Sequence, residues 1–443
     1  MRNKCQLLLF LFLSFIVSPS LYAQDSTKPL TKKERAEVVN SVSKLLKENY
    51  VFPEVADKMV HLISANMKAG KYRTIDQPEE FAEKLTQDLQ TVSKDKHLSV
   101  LFDPQGVQLH KKAVSPADSL AQINEYLKGI RRNNFGFKEA KILDGNIGYL
   151  DLRSFSNIHY AKEAAVAAMS FLSNADALII DLRKNGGAYP SMVQFITSYF
   201  YSEDTVHLNT FYSRPTNEYT QTWTLPYVPG KRRPDIDLYI LTSENTFSAP
   251  EEFAYNLKNL NRATLIGETT GGGAHPGGTR IVSERFLVWL PTGMAINPIT
   301  KTNWEGTGVT PHIETSQEEA FVVAQIKALE KLKSSSVGER KKIYDWKLTT
   351  LEGFRNPIKL DIKKLQEYEG RYGSRIISLV GDKLYYQKAD GPKYALISMG
   401  QDLFGIAELP HFRIKFAKEG NNQVTALQGL YEDGREDESV KDK

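Results

Sequence analysis

The stretch from Asp237 to Ala254, DLYILTSENTFSAPEEFA, constrains the fold more than any other part of the 443-residue chain. Asp237 to Thr242 is a short apolar run of strand formers, closed by the turn formers Ser243, Glu244 and Asn245. Pro250 and the Glu251/Glu252 pair then suit the first turn of a helix, where a missing N–H costs nothing and negative charge meets the helix dipole. A strand must therefore give way to a helix at a sharp corner, with Ser248 at its N-cap. Taken alone, a Ser before Ala-Pro-Glu-Glu is a helix cap before it is a nucleophile. Other segments decide between the two.

Three helical patterns lead the chain: Thr31 to Tyr50 (Val38, Val42, Leu45, Leu46), a second from Pro53 with Gly70 as its stop, and a third opening at Asp76 as a capping box with Glu79. The alternating DKHLSVLFDP follows, which predicts a strand with His97 at its beginning. A histidine at such a junction is more often structural than catalytic. Asp103 to Lys141 holds a helix around Ser119 to Arg131 and is too short for an inserted recognition domain of ordinary size. From Ile142 the pattern becomes strand, helix, strand (NIGYLDL, Ile158 to Ser173, ADALIIDL), the signature of a βαβ unit with a buried parallel strand.

The second of these strands runs into Asp181-Leu-Arg183-Lys-Asn185-Gly186-Gly187, a glycine turn whose backbone N–H groups are able to face an anion or a developing oxyanion. Alone, it reads as a tight connection. Val206 to Val228 predicts a hairpin or rim loops, and the basic turn before Asp237 reads as solvated surface. The helix after Ser248 leads to the strand Ala263 to Ile266 and then to GETTGGGAHPGG, a glycine-rich loop that moves or approaches a ligand closely; no Gly-Lys-Ser/Thr closes it, so it is not a phosphate loop. Strands at Phe286 to Leu290 and Met294 to Asn297 precede Asn303 to Pro311, a tight loop holding one acid, Glu305. A linker-like break begins at Lys333, and short alternating segments from about Leu365 to Tyr431 predict a small antiparallel sheet or barrel.

Composition narrows the function classes. Residues 1–23 combine Arg2 and Lys4, an apolar run from Leu7 to Val17 and a small-residue exit at Ala23, the pattern of a secretory signal peptide. Its removal takes the formal charge from +4 to about +2, leaving no basic bias for nucleic acid or anionic membrane, and no further membrane segment is expected. The single cysteine, Cys5, leaves with it, which excludes a disulfide scaffold, a thiol nucleophile and thiolate metal sites. No cofactor or metal is expected, because the eight histidines are scattered without ligand spacing.

A serine at a strand-to-helix corner, a glycine turn after a buried strand, a junction histidine and an acid in a tight loop are together the parts of acyl transfer. These residues resemble the superfamily of C-terminal processing (tail-specific) proteases, the tricorn protease core and the interphotoreceptor retinoid-binding protein modules. The resemblance covers roughly Ala36 to Leu332 and is strongest in DLRKNGG, TSENTFSAPEEF, GETTGGGA and NWEGTGVTP; DKHLSV and NNFGFKEAKILDGNIGYLDL look closest to the retinoid-binding branch. It implies an α/β, crotonase-like (ClpP-like) ββα superhelix core without a PDZ domain. Ser248 is then the nucleophile, with Gly186, Gly187 and the N–H of Ala249 as oxyanion hole. Processing proteases draw their base from a lysine after a glycine-rich turn, and here that position is Gly273. His97 and Glu305 match the tricorn-like histidine and glutamate, with Lys96 where that pattern has a serine. His275 is the rival base, on a glycine loop poorly suited to fixing an imidazole.

The resulting layout is a signal peptide (1–23), an N-terminal helical subdomain (24–105), a catalytic core (106–335), a linker (336–364) and a small β-barrel (365–435). The functional expectation is an exported, secreted or periplasmic serine peptidase that cleaves unfolded polypeptide segments or short peptides. The alternative is a non-catalytic carrier of apolar ligands of the retinoid or fatty-acid type.

Overall fold

The structure, a computed structural model, describes residues 28–111, 116–420 and 423–442, with side chains between 112 and 122 outside that description. Residues 1–23, expected as a signal peptide, and Cys5 with them lie outside the described residues. The chain divides into two compact units: residues up to Lys141 with Gly148–Asn174 and Leu178–Ala320, and Ile142–Ile147 with Ala175–Ala177 and Phe321–Lys443.

The first unit opens with helices α1 (Lys32–Asn49), α2 (Pro53–Lys68) and α3 (Pro78–Ser93). Thr31 caps α1, accepting from the Glu34 N–H at 3.1 Å. The capping box expected at Asp76 does not form, and α3 starts at Pro78 instead. Asp76 is drawn into tertiary contacts: its carbonyl accepts from Leu30 N–H at 2.9 Å and its carboxylate meets the buried Arg35 at 3.4 Å. The helices bury Val38, Val42, Met59, Ile63, Phe81 and Leu85 against the sheet β1-β10-β9 (β1 Ser99–Phe102, β9 Gly277–Ile281, β10 Phe286–Pro291). Val100, Phe286, Val288 and Leu290 supply the sheet side of this core. The segment Asp103 to Lys141 carries helices α4 (Pro104–Lys111) and α5 (Pro116–Arg132).

A six-stranded sheet organises the rest of the first unit, in the order β12-β8-β7-β4-β3-β2. Its strands are β2 (Phe137–Leu143), β3 (Ile147–Leu152), β4 (Ala177–Asp181), β7 (Asp237–Thr242), β8 (Thr264–Gly267) and β12 (Ile313–Glu314). β7 and β8 are parallel, as are β8 and β12. All five residues of β4 are buried, as its continuous apolar run predicts. Helices α6 (Ile158–Phe171), α7 (Pro190–Thr197) and α8 (Ala249–Asn259) contribute Ala165, Val193, Ile196, Phe253 and Leu257 to the core that also holds Ile180 and Ile240. The expected hairpin is β5 (His207–Ser213) with β6 (Glu218–Trp223), and β5 also pairs with β11 (Gly293–Ile296).

The second unit contains α9 (Ala320–Ser334), α10 (Gly338–Arg355) and α11 (Ile362–Tyr368). Residues 336–364, expected as a linker, are therefore largely helical: α10 buries Tyr344 and Leu348. Two antiparallel sheets follow, one of four strands between Gly370 and Ala395 and one of five between Ile397 and Val440. Tyr368, Tyr372, Phe404, Ile414, Phe416 and Leu427 form their core. No helix among the described residues is long and apolar enough to cross a membrane.

Candidate active site

Ser248 sits where β7 hands over to α8, with φ 69° and ψ −117°. A non-glycine residue held there carries strain of about 1–3 kcal/mol, so the surroundings must fix it. Glu251 does this. Its buried carboxylate accepts from Ser248 N–H at 2.7 Å, Gly272 N–H at 2.6 Å, Gly273 N–H at 2.9 Å and Thr270 Oγ1 at 2.5 Å. It thus ties the serine corner to the glycine loop. Burial raises its pKa, while these four bonds act in the opposite direction by favouring the charged form.

The glycine turn after β4 is positioned by Asn185, which is fully buried. Its Nδ2 donates to Leu152 O at 2.9 Å, its carbonyl accepts from Phe247 N–H at 3.1 Å, and its Oδ1 accepts from Gly187 N–H at 3.1 Å. These bonds bring Gly187 against the serine: a Cβ on Gly187 would lie 3.2 Å from Ser248 Cβ and 3.6 Å from its Oγ. Of the three expected oxyanion donors, the Gly187 N–H is already directed to Asn185 Oδ1. A Cβ on Gly186 would meet nothing within 4 Å, so this side of the turn is open.

His97 lies in the turn two residues before β1, stacked on Trp289 at 5.0 Å and tilted against Phe247, the neighbour of Ser248, at 4.5 Å. Burial lowers its pKa to about 4; Asp95 opposes the shift and His275 adds to it. The imidazole is neutral at physiological pH, and its Nδ1 is sealed from solvent without a hydrogen-bond partner. Among the described residues no hydrogen bond joins His97 to Ser248 or to Glu305. The space a side chain at Gly273 would need is filled: a Cβ there would lie 2.3 Å from the Phe247 ring and 2.7 Å from His97 Cε1. A lysine cannot occupy that position with His97 and Phe247 in place.

Glu305 contacts the other histidine. Its Oε2 accepts from Ala274 N–H at 2.5 Å and lies 3.4 Å from His275 Nδ1, which is 2.8 Å from Asp95 Oδ2. His275 and Asp95 are buried, Phe52 packs edge-on to the imidazole at 5.3 Å, and Tyr50 donates to Asp95 Oδ2 at 3.2 Å. The glycine loop thus fixes His275 firmly, contrary to the expectation for so glycine-rich a segment, because Glu251 and Asp95 anchor it on either side of Ala274. Burial pushes the Glu305 pKa up to about 7, Asp95 adds to the rise, and His275 opposes it. A cavity of about 430 Å³ adjoins this cluster, lined by Phe52, Val55, Ser93, Met294, Lys301 and Asn303 among others.

A buried acid on the same helix as Glu251 lies outside this arrangement. Glu252, read from the sequence as a partner of the helix dipole, is buried beside Asn209, 3.4 Å away, and burial raises its pKa to about 8. In the unfolded chain it ionises near 4.5, so between these values the native state holds a proton that the unfolded state has released. Stability then falls as pH rises through that window, by at most about 1.4 kcal/mol per pH unit. Glu252→Gln is expected to remove this slope, so that thermal denaturation finds the variant equal to the parent near pH 5 and several degrees more stable near pH 9. Parallel melting profiles for the two would contradict the assignment.

A serine on a strained strand-to-helix corner beside a glycine turn, with a buried imidazole packed on the neighbouring Phe247, offers the residue types that acyl transfer uses. Residues 146–315 match peptidase family S41, and residues 29–130 match the N-terminal domain of Peptidase_S41 in eukaryotic IRBP. Residues 146–315 are thus a peptidase family S41 domain. The chain is 25% identical over 189 residues to a carboxyl-terminal-processing protease of Synechocystis, covering 42% of each chain, and so spans less than half of that relative's length. Among solved structures it is similar to a lipoprotein from Streptococcus agalactiae (14% identity, TM-score 0.43, 72% of this chain and 100% of that one). The photosystem II D1 C-terminal processing protease is a further neighbour (14% identity, TM-score 0.41, 65% and 94%), as is the tricorn protease (12% identity, TM-score 0.41, 65% and 35%).

Proposed function

We propose that the chain is an exported serine peptidase that cleaves unfolded polypeptide segments or short peptides through an acyl-enzyme on Ser248, within a crotonase-like core. The observation that carries this reading is the strained Ser248 corner, held by Glu251 against the glycine loop and set beside Gly187 and the neutral His97. His97 takes the Ser248 proton as the hydroxyl attacks the scissile carbonyl, and returns it to the leaving amine. The Gly186 and Ala249 N–H groups receive the oxyanion, each worth roughly a hundred- to thousandfold in rate. Glu305 acts at one remove, by fixing Ala274 and His275 in the loop behind His97.

Incubation with one polypeptide in reduced, unfolded and native forms tests the substrate class. Cleavage of the unfolded form alone, lost in Ser248→Ala, is expected; equal cleavage of the native form would contradict the proposed preference. The second reading, a carrier of apolar ligands, is favoured by the IRBP-type N-terminal match and by the apolar wall of the cavity beside His275. Absence of cleavage together with saturable binding of a fluorescent fatty acid would transfer the function to it.

A further inference from the structure

The three titratable groups behind the serine site form a cluster that the acyl-transfer chemistry does not require as such. Asp95, His275 and Glu305 each offer one ligand atom, and these atoms all lie within 4.8 Å of one another. Asp95 and His275 are more than nine-tenths buried, and among the described residues the only cationic side chain in an ion pair with Asp95 or Glu305 is His275 itself. Two carboxylates are therefore sequestered around one imidazole, an arrangement whose negative charge a proton or a bound cation must offset. Glu305 uses Oε2 on the Ala274 N–H, while its Oε1 is sealed from solvent and has no hydrogen-bond partner. A buried carboxylate oxygen left unmatched costs about 1–3 kcal/mol and calls for a ligand.

We propose that Asp95, His275 and Glu305 form a binding site for a divalent transition-metal ion of the zinc type. One imidazole nitrogen and two carboxylate oxygens are the donor set of such an ion and not that of calcium or magnesium, which prefer all-oxygen shells. Tetrahedral ligation at about 2.0 Å needs ligand atoms about 3.3 Å apart. The 2.8 Å from Asp95 Oδ2 to His275 Nδ1 and the 3.4 Å from His275 Nδ1 to Glu305 Oε2 lie within about half an ångström of that spacing. A bound ion would take the neutral imidazole through Nδ1 together with the two carboxylates, and any proton held on these ligand atoms would pass to solvent. The supporting shell is already built, since Tyr50 OH and the His97 N–H hold the two oxygens of Asp95. The adjoining cavity gives an entry path and room for water as a fourth ligand.

The test uses the untagged full chain carrying Ser248→Ala, so that metal binding is read whether or not the serine is a nucleophile. Titration with Co²⁺, followed by visible absorption, is expected to give one ion per chain with the spectrum of a four-coordinate site. Asp95→Asn and His275→Ala should each weaken it at least tenfold. X-ray absorption of the Zn²⁺-loaded chain is expected to show one imidazole among oxygen ligands. Should Asp95→Asn fail to fold, Glu305→Gln, which keeps an acceptor for Ala274, carries the same comparison. The absence of one-to-one binding below about 1 mM, undiminished binding in the folded variants, or a shell with two or more imidazoles would overturn the proposal.

Discussion

Glu251→Ala is expected to lower the unfolding free energy by about 3 kcal/mol or more, because three backbone N–H groups lose their acceptor together and each unmatched donor costs about 1–3 kcal/mol. The donors are those of Ser248, Gly272 and Gly273, and Thr270 loses its partner at the same time. The damage falls on the site as well as on the fold. With its restraint gone, Ser248 relaxes from φ 69° toward an ordinary helix start and the glycine loop separates from the corner. Glu251→Gln tests the positioning role more finely, since the amide keeps the volume and one acceptor oxygen while turning a donor toward the N–H groups. Its acylation rate should fall far more steeply than its melting temperature. A Glu251→Gln chain with parental acylation and stability would contradict the role assigned to this residue.

The second large effect concerns the reacting groups. Ser248→Ala removes the nucleophile and should abolish acylation, and His97→Ala should lower its rate by about a hundred- to ten-thousandfold, the range ordinarily contributed by a positioned general base. Both substitutions leave the Glu251 bonds to the loop intact, so folding should be largely retained. His275→Ala separates the two histidines. If acylation survives in His97→Ala and is lost in His275→Ala, the base is the imidazole held by Asp95, not the one packed on Phe247 and Trp289.

Local patterns made the frame of the molecule readable. The apolar run ending at Thr242, the Pro250 first turn and the continuous strand at Ala177–Asp181 leave the backbone few alternatives, and each forms where its sequence predicts. What escaped the sequence depends on distant partners. Glu251 reads as a dipole partner in any first helical turn, and only the return of the glycine loop some twenty residues later makes it a buried hub. Asp95 and His275 are 180 residues apart, so no ligand spacing announces their pairing. Asp76 and Glu79 had the pattern of a capping box, but the Leu30 and Arg35 contacts claim Asp76. At residues 336–364 a polar break read as linker, although Tyr344 and Leu348 in fact bury one face of a helix.

The central claim is that Ser248 is a nucleophile served by a neutral His97. It is tested most directly by the pH dependence of labelling with a fluorophosphonate, with the adduct mapped by peptide mass spectrometry. Since burial lowers the His97 pKa to about 4, the base stays unprotonated well into the acid range. A single adduct on Ser248 is expected, its rate of formation nearly flat from about pH 8 to about pH 6, declining only toward pH 4 and collapsing in His97→Ala. No adduct on Ser248 in the folded chain, or an adduct that forms at the parental rate without His97, would contradict it.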